Sequence, residues 1–114
     1  KTLFPYTTLF RSIGYNGTPA GWDNNCEDEI PRIALPSILK TKPEVIHAEA
    51  NAIMKLARSN ESGMDSVMFL THAPCIDCAK LIYGSGITQV FYKNEYRDQS
   101  GVEFLKKCNL LVNQ

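Results

Sequence analysis

Residues 47–59, HAEANAIMKLARS, and residues 66–92, SVMFLTHAPCIDCAKLIYGSGITQVFY, decide how this chain is read. The first stretch is dense in strong helix formers, and Ile53, Met54, Leu56 and Ala57 form an apolar stripe, so a helix is predicted. Ser66 to Thr71 is a short apolar run suited to a buried strand. A second helix is predicted over 75–84, with Pro74 just before it and Gly84 and Gly86 closing it. Ile87 to Tyr92 is β-branched and aromatic, which predicts another strand. A last helix over 100–111 sets Val102, Leu105 and Cys108 at i, i+3 spacing. Helix, strand, helix, strand, helix is satisfied most economically by parallel strands joined by crossover helices, an α/β fold.

Upstream the texture differs. Residues 14–22, GYNGTPAGW, form a turn-rich stretch. From Asp23 to about Pro43 the chain is charged and punctuated by proline, and a loop is expected; loops of that length usually serve binding or are disordered. The first twelve residues, KTLFPYTTLFRS, carry no charge between Lys1 and Arg11, and Pro5 interrupts any short element. We therefore expect residues 1–12 to be a non-native tail and residues 13–114 to be one domain.

Composition narrows the function classes. The chain has 114 residues, 44% hydrophobic and 21% charged, with 12 basic and 12 acidic side chains. Gripping a nucleic-acid backbone calls for a basic excess. None is present, so a small substrate is expected and nucleic acid is not. No apolar run approaches the length of a membrane span, and no secretory apolar region is seen, so no membrane contact is expected. Two of the four cysteines, Cys75 and Cys78, stand as C-x-x-C after Pro74, while Cys26 and Cys108 lie far from them. A secreted chain this short would invite two disulfides. A reducing cytoplasm with a metal site fits the spacing better.

The chemistry sits at two predicted helix starts. A C-x-x-C in the first turn of a helix aims two thiolates at one point, and the helix N-terminus favours their ionised form. His47, opening another helix, makes a third ligand. Three protein ligands leave the fourth position of a tetrahedral zinc open, the mark of a catalytic site, where hydroxide becomes available near neutral pH. Glu49 stands two residues from His47, placed to move protons without ligating the metal. Hydroxide attack on an amidine-like ring carbon followed by loss of ammonia is hydrolytic deamination. H-x-E…P-C-x-x-C is the recognised signature of zinc deaminases. A redox C-x-x-C or a plain helix start explains either half alone, but not both together in this order.

The chain resembles the cytidine/deoxycytidylate deaminase superfamily, and more narrowly the deoxycytidylate (dCMP) deaminases of phages and bacteria, through GYNGTPAGW at 14–22, HAEANAI at 47–53 and PCIDCAK at 74–80. The resemblance covers about residues 13–114. It implies a three-layer α/β/α fold around a mixed sheet, one catalytic zinc, and conversion of dCMP to dUMP. By the same resemblance His47, Cys75 and Cys78 are zinc ligands, Glu49 the catalytic proton shuttle, and Asn16, the Ala48 backbone and Tyr96 substrate contacts. Arg97 and Arg32 are further candidates at the 5′-phosphate, and His72 at the pocket rim. The family also implies a homohexamer and a dCTP or dTTP effector held with Mg2+, which Gly14, Tyr15, Gly17 and Arg58 would meet. Cys26 matches a position where some relatives bind a structural zinc, although a buried thiol is the plainer role. Family members open with a helix and two strands before GYNG, and most of that is expected to be missing here. Two other readings stand beside this one: a deaminase of the same fold acting on tRNA adenosine, cytosine or guanine, and a non-catalytic zinc-stabilised module.

Overall fold

The computed structural model describes residues 11–23, 25–32 and 35–114. The elements in chain order are β1 (Glu27–Arg32), β2 (Leu35–Thr41), α1 (Ala48–Ala57), β3 (Val67–His72), α2 (Ile76–Gly84), β4 (Gln89–Asn94), α3 (Ser100–Lys107) and β5 (Leu111–Asn113). Strands β3, β4 and β5 form a parallel sheet in that order, with Met68 opposite Val90 and Val90 opposite Val112. Parallel neighbours require crossovers, and α2 and α3 supply them. Because both crossovers step the same way across the sheet, right-handedness puts both helices on one face, where they pack together.

That face holds the core. Val90 and Val112 meet Ala79 and Ile82 of α2 and Val102 and Leu105 of α3, all buried. Strand alternation sends Phe69 and Phe91 to the other face, where the rings stack at 5.5 Å. Among the described residues that face stays open: Phe69 is 73% and Leu111 52% exposed. Of the three layers expected, the helices described here form one. Among the described residues, antiparallel pairing is confined to the β1–β2 hairpin and a bridge between Gly17 and Ile46.

Three local expectations are corrected. The stretch from Asp23 to Pro43 is not a loop but contains the hairpin of β1 and β2. Its prolines obscured it. Pro31 falls at the register shift between Ile30 and Arg32, and Pro36 lies between the paired positions Leu35 and Ile38, so neither interrupts a paired position of the ladder. The last helix stops at Lys107 rather than 111, and Leu111–Asn113 joins the sheet as β5. Asn109, at φ 65°, turns the chain between them. Asn tolerates that left-handed conformation better than most residues. Cys108 caps α3 rather than filling its core. Of the segment 1–12, residues 1–10 lie outside the described residues.

The apolar stripe of α1 is also weaker than its sequence suggests. Ile53 packs on the core, but Met54 is exposed and no residue of α1 is fully buried. Polar groups hold the helix instead. The segment 11–17 runs alongside it: the Ser12 hydroxyl donates to the Ala52 carbonyl (2.8 Å), Lys55 Nζ to Ile13 (2.9 Å) and Asn51 Nδ2 to Tyr15 (3.1 Å). Arg11 pairs with Glu61 at 2.8 Å beyond the helix end. Gly14 makes this strap possible, because a Cβ there would lie 2.6 Å from the Ala52 nitrogen and against the Ala48 carbonyl. Gly14→Ala is therefore expected to destabilise the fold by about 1–3 kcal/mol, the usual cost of forcing atoms into packed structure. A thermal melt at unchanged midpoint would show that the strap does not hold α1.

Candidate metal centre

His47 and Cys75 occupy equivalent places, each the N-cap of its helix, α1 and α2, with extended backbone (ψ 151° and 170°). Cys78 lies one turn into α2 and is 3% exposed. An N-cap normally uses a Ser, Thr, Asp or Asn side chain to satisfy the first helical N–H groups. Here neither cap side chain makes such a bond. Both turn to one another: His47 Nδ1 lies 3.6 Å from Cys75 Sγ and 3.4 Å from Cys78 Sγ. A tetrahedral zinc with Zn–N of about 2.0 Å and Zn–S of about 2.3 Å separates its nitrogen and sulfur ligands by roughly 3.5 Å. The three ligand atoms all lie within 4.8 Å of one another, so the donor set fits the metal.

Asn16 replaces the missing cap from a distance. Its Oδ1 accepts from the Ala48 backbone N–H at 2.7 Å. The two residues expected to meet a substrate are thus bonded to each other, immediately beside His47.

The electrostatics call for a cation. Burial raises the Cys78 thiol above its ordinary range, and the Glu49 carboxylate and the neighbouring Cys75 raise it further; the Ala50 backbone N–H works against them. Without a positive charge the site favours the protonated thiol, and a divalent cation reverses that preference. Glu49 acts on Cys78 through its charge and is not one of the clustered donors.

Tyr96 and Arg97 lie exposed in the loop between β4 and α3. That loop is internally tied: Gln99 Nε2 donates to the Tyr96 carbonyl (2.6 Å), and the Ser100 N–H to Asp98 Oδ1 (3.0 Å). The Ser100 N–H and hydroxyl together hold the Asp98 carboxyl below its ordinary value. Arg32 ends β1 and His72 ends β3; neither joins the ligand set. Of the expected effector residues, Gly14 and Gly17 are engaged in backbone packing against α1 and Ile46. Tyr15 is 70% exposed, and Arg58 borders a cavity of about 630 Å³ with Thr18, Asn51 and Met54. Cys26 is half-buried and in no disulfide; among the described residues no second metal-ligand cluster forms around it.

The family model described as "Cytidine and deoxycytidylate deaminase zinc-binding region" matches residues 10–94. The human deoxycytidylate deaminase is 37% identical over 88% of this chain, and that of Mycobacterium phage D29 is 34% identical over 75%. The chain spans 64% of the human relative's length and 70% of the phage relative's. In solved structures, the dCMP deaminase of cyanophage S-TIM5 in complex with dCMP and dUMP superposes with a TM-score of 0.71 at 39% identity. That match covers 89% of this chain and 70% of the phage protein.

Metal binding at this site should release protons. A ligating Cys78 must be ionised, and its thiol is pushed up, so zinc has to displace its proton. Apparent affinity is therefore expected to rise with pH, about tenfold per unit for each proton displaced, between about pH 6 and 8. Chelator competition across that range measures the slope. A flat profile would exclude thiolate ligation.

Proposed function

The chain belongs to the cytidine and deoxycytidylate deaminase family, and from that membership we propose that it converts dCMP and water to dUMP and ammonia. The observation that carries this reading is the convergence of His47 Nδ1 with both sulfurs at 3.4–3.6 Å, with Glu49 two residues away. His47, Cys75 and Cys78 would hold the zinc. Bound there, zinc supplies Lewis acidity and makes hydroxide available near neutral pH.

The chain's own residues do the rest. Glu49 accepts the proton of the attacking water and delivers it to the ring nitrogen of the base as oxygen adds at C4. It then carries the second water proton to the departing amine, so that ammonia leaves and the ring carbonyl forms. Asn16, whose amide offers a donor beside the acceptor already used by Ala48, orients the base or sugar. Tyr96 and Arg97 face the 5′-phosphate. A homohexameric assembly, a dCTP or dTTP effector with Mg2+ near Tyr15 and Arg58, and a cytoplasmic location complete the proposal. The domain is read as starting at residue 11 rather than 13, because Arg11 pairs with Glu61 and Ser12 bonds to Ala52.

The balanced charge, 12 basic against 12 acidic residues, disfavours a tRNA substrate. A non-catalytic zinc-held module is the second reading, since one histidine and two cysteines can hold zinc without turning over a substrate. Glu49→Gln separates the two: it should retain zinc while kcat on dCMP falls by about 10²–10⁴, the usual worth of a positioned proton carrier. Turnover at the wild-type rate would remove Glu49 from its role. A wild-type chain that binds zinc and shows no ultraviolet change with dCMP would establish the module. Comparing dCMP with deoxycytidine tests the phosphate contacts: equal kcat/KM would refute recognition of a nucleotide.

A further inference from the structure

Gly101 is the second residue of α3 and is buried. Glycine inside a helix is unfavourable, so its presence asks for a packing reason. The reason is a close approach. A Cβ at Gly101 would lie 2.8 Å from both the carbonyl carbon and oxygen of Cys75, and still nearer the Pro74 oxygen. All three are backbone atoms. Pro74 is fully buried, so the turn has little room to retreat. The Cys75 carbonyl also accepts the first hydrogen bond of α2, from the Ala79 N–H at 2.9 Å. Moving that carbonyl would disturb the turn that sets Cys75 Sγ relative to Cys78 Sγ.

We propose that Gly101 is a positioning residue of the metal centre: the bare backbone at the start of α3 seats the Pro74–Cys75 turn and so fixes the two sulfurs in ligating register. The inference rests on the reading of Cys75 and Cys78 as zinc ligands. It also links two parts of the site. Gln99 and Ser100, which precede Gly101, tie down Tyr96 and Asp98, so the loop proposed to meet the phosphate and the ligand turn are braced by one helix start.

Gly101→Ala tests this against Gly84→Ala, a control at the end of α2 where an added Cβ meets nothing within 4 Å. Zinc affinity is read by competition with a chromophoric chelator, and ligand geometry by the thiolate charge-transfer band of the cobalt-substituted protein. Gly84→Ala should match wild type. Gly101→Ala should keep its far-ultraviolet circular dichroism, hold zinc at least tenfold more weakly and shift the cobalt band. Wild-type affinity with a superimposable cobalt spectrum would overturn the proposal. If Gly101→Ala does not accumulate folded, hydrogen exchange on the unmutated chain decides instead, because coupling between two places is reciprocal. Zinc should then slow exchange over 98–104, which supplies no ligand, as it does over 75–80, relative to residues 61–66. Protection of 75–80 with 98–104 unchanged would overturn it. Zinc held equally by variant and wild type, with the same cobalt spectrum, sinks this inference alone; a wild-type chain that binds no zinc sinks the ligand reading and this inference with it.

Discussion

Two helices that start at one point govern this molecule. His47 opens α1 and Cys75 opens α2, and their ligand atoms, with that of Cys78, must lie within a few ångströms. That requirement explains why both caps are poor ones. A histidine and a cysteine replace the Ser, Thr, Asp or Asn that helix starts favour, so each helix gives up local stability where its chemistry lies. The rest of the structure restores what those caps do not provide. Asn16 reaches in from a distant turn to satisfy the Ala48 N–H, and the start of α3 closes against the Pro74–Cys75 backbone.

The two helices are anchored differently. α2 sits over the sheet, with Ala79 and Ile82 fully buried, so Cys75 and Cys78 ride on the rigid part of the fold. α1 buries no residue completely and depends on hydrogen bonds exchanged with residues 12–16. Most of those bonds are solvent-exposed, and exposed polar contacts are individually weak. The His47–Glu49 half of the site is therefore the half that opens most easily, and the half a bound metal would tighten most. Burial of Cys78 works in the same direction. It disfavours the free thiolate and so links the ordering of the site to the arrival of a cation.

The sheet face left uncovered among the described residues belongs to the same balance. Phe69 and Phe91 stack there with Leu111 nearby, while the opposite face carries α2, α3 and the core. A parallel sheet is normally covered on both faces. Among the described residues one layer of helices bears the metal site and the packing together.

The sequence by itself determined the chemistry and its order along the chain. HAE and PCIDC name the donor types, and the helix formers and β-branched runs between them place one donor group at each of two helix starts separated by one strand. Local periodicity suffices for that, since each element's signal lies within its own ten residues or so. The parallel α/β arrangement was legible for the same reason. What only the tertiary structure decided lies in contacts between segments far apart in sequence. The β1–β2 hairpin is set by pairing across the Pro31 irregularity, which overrides a composition that reads as loop. β5 forms because β4 offers it an edge, not because LVN insists on a strand. Asn16 as the cap of α1 and Gly101 as the seat of Cys75 connect residues 32 and 26 positions apart, and backbone approach at such separation leaves no periodic trace. The residue types of the metal centre are written locally; their register is a property of packing.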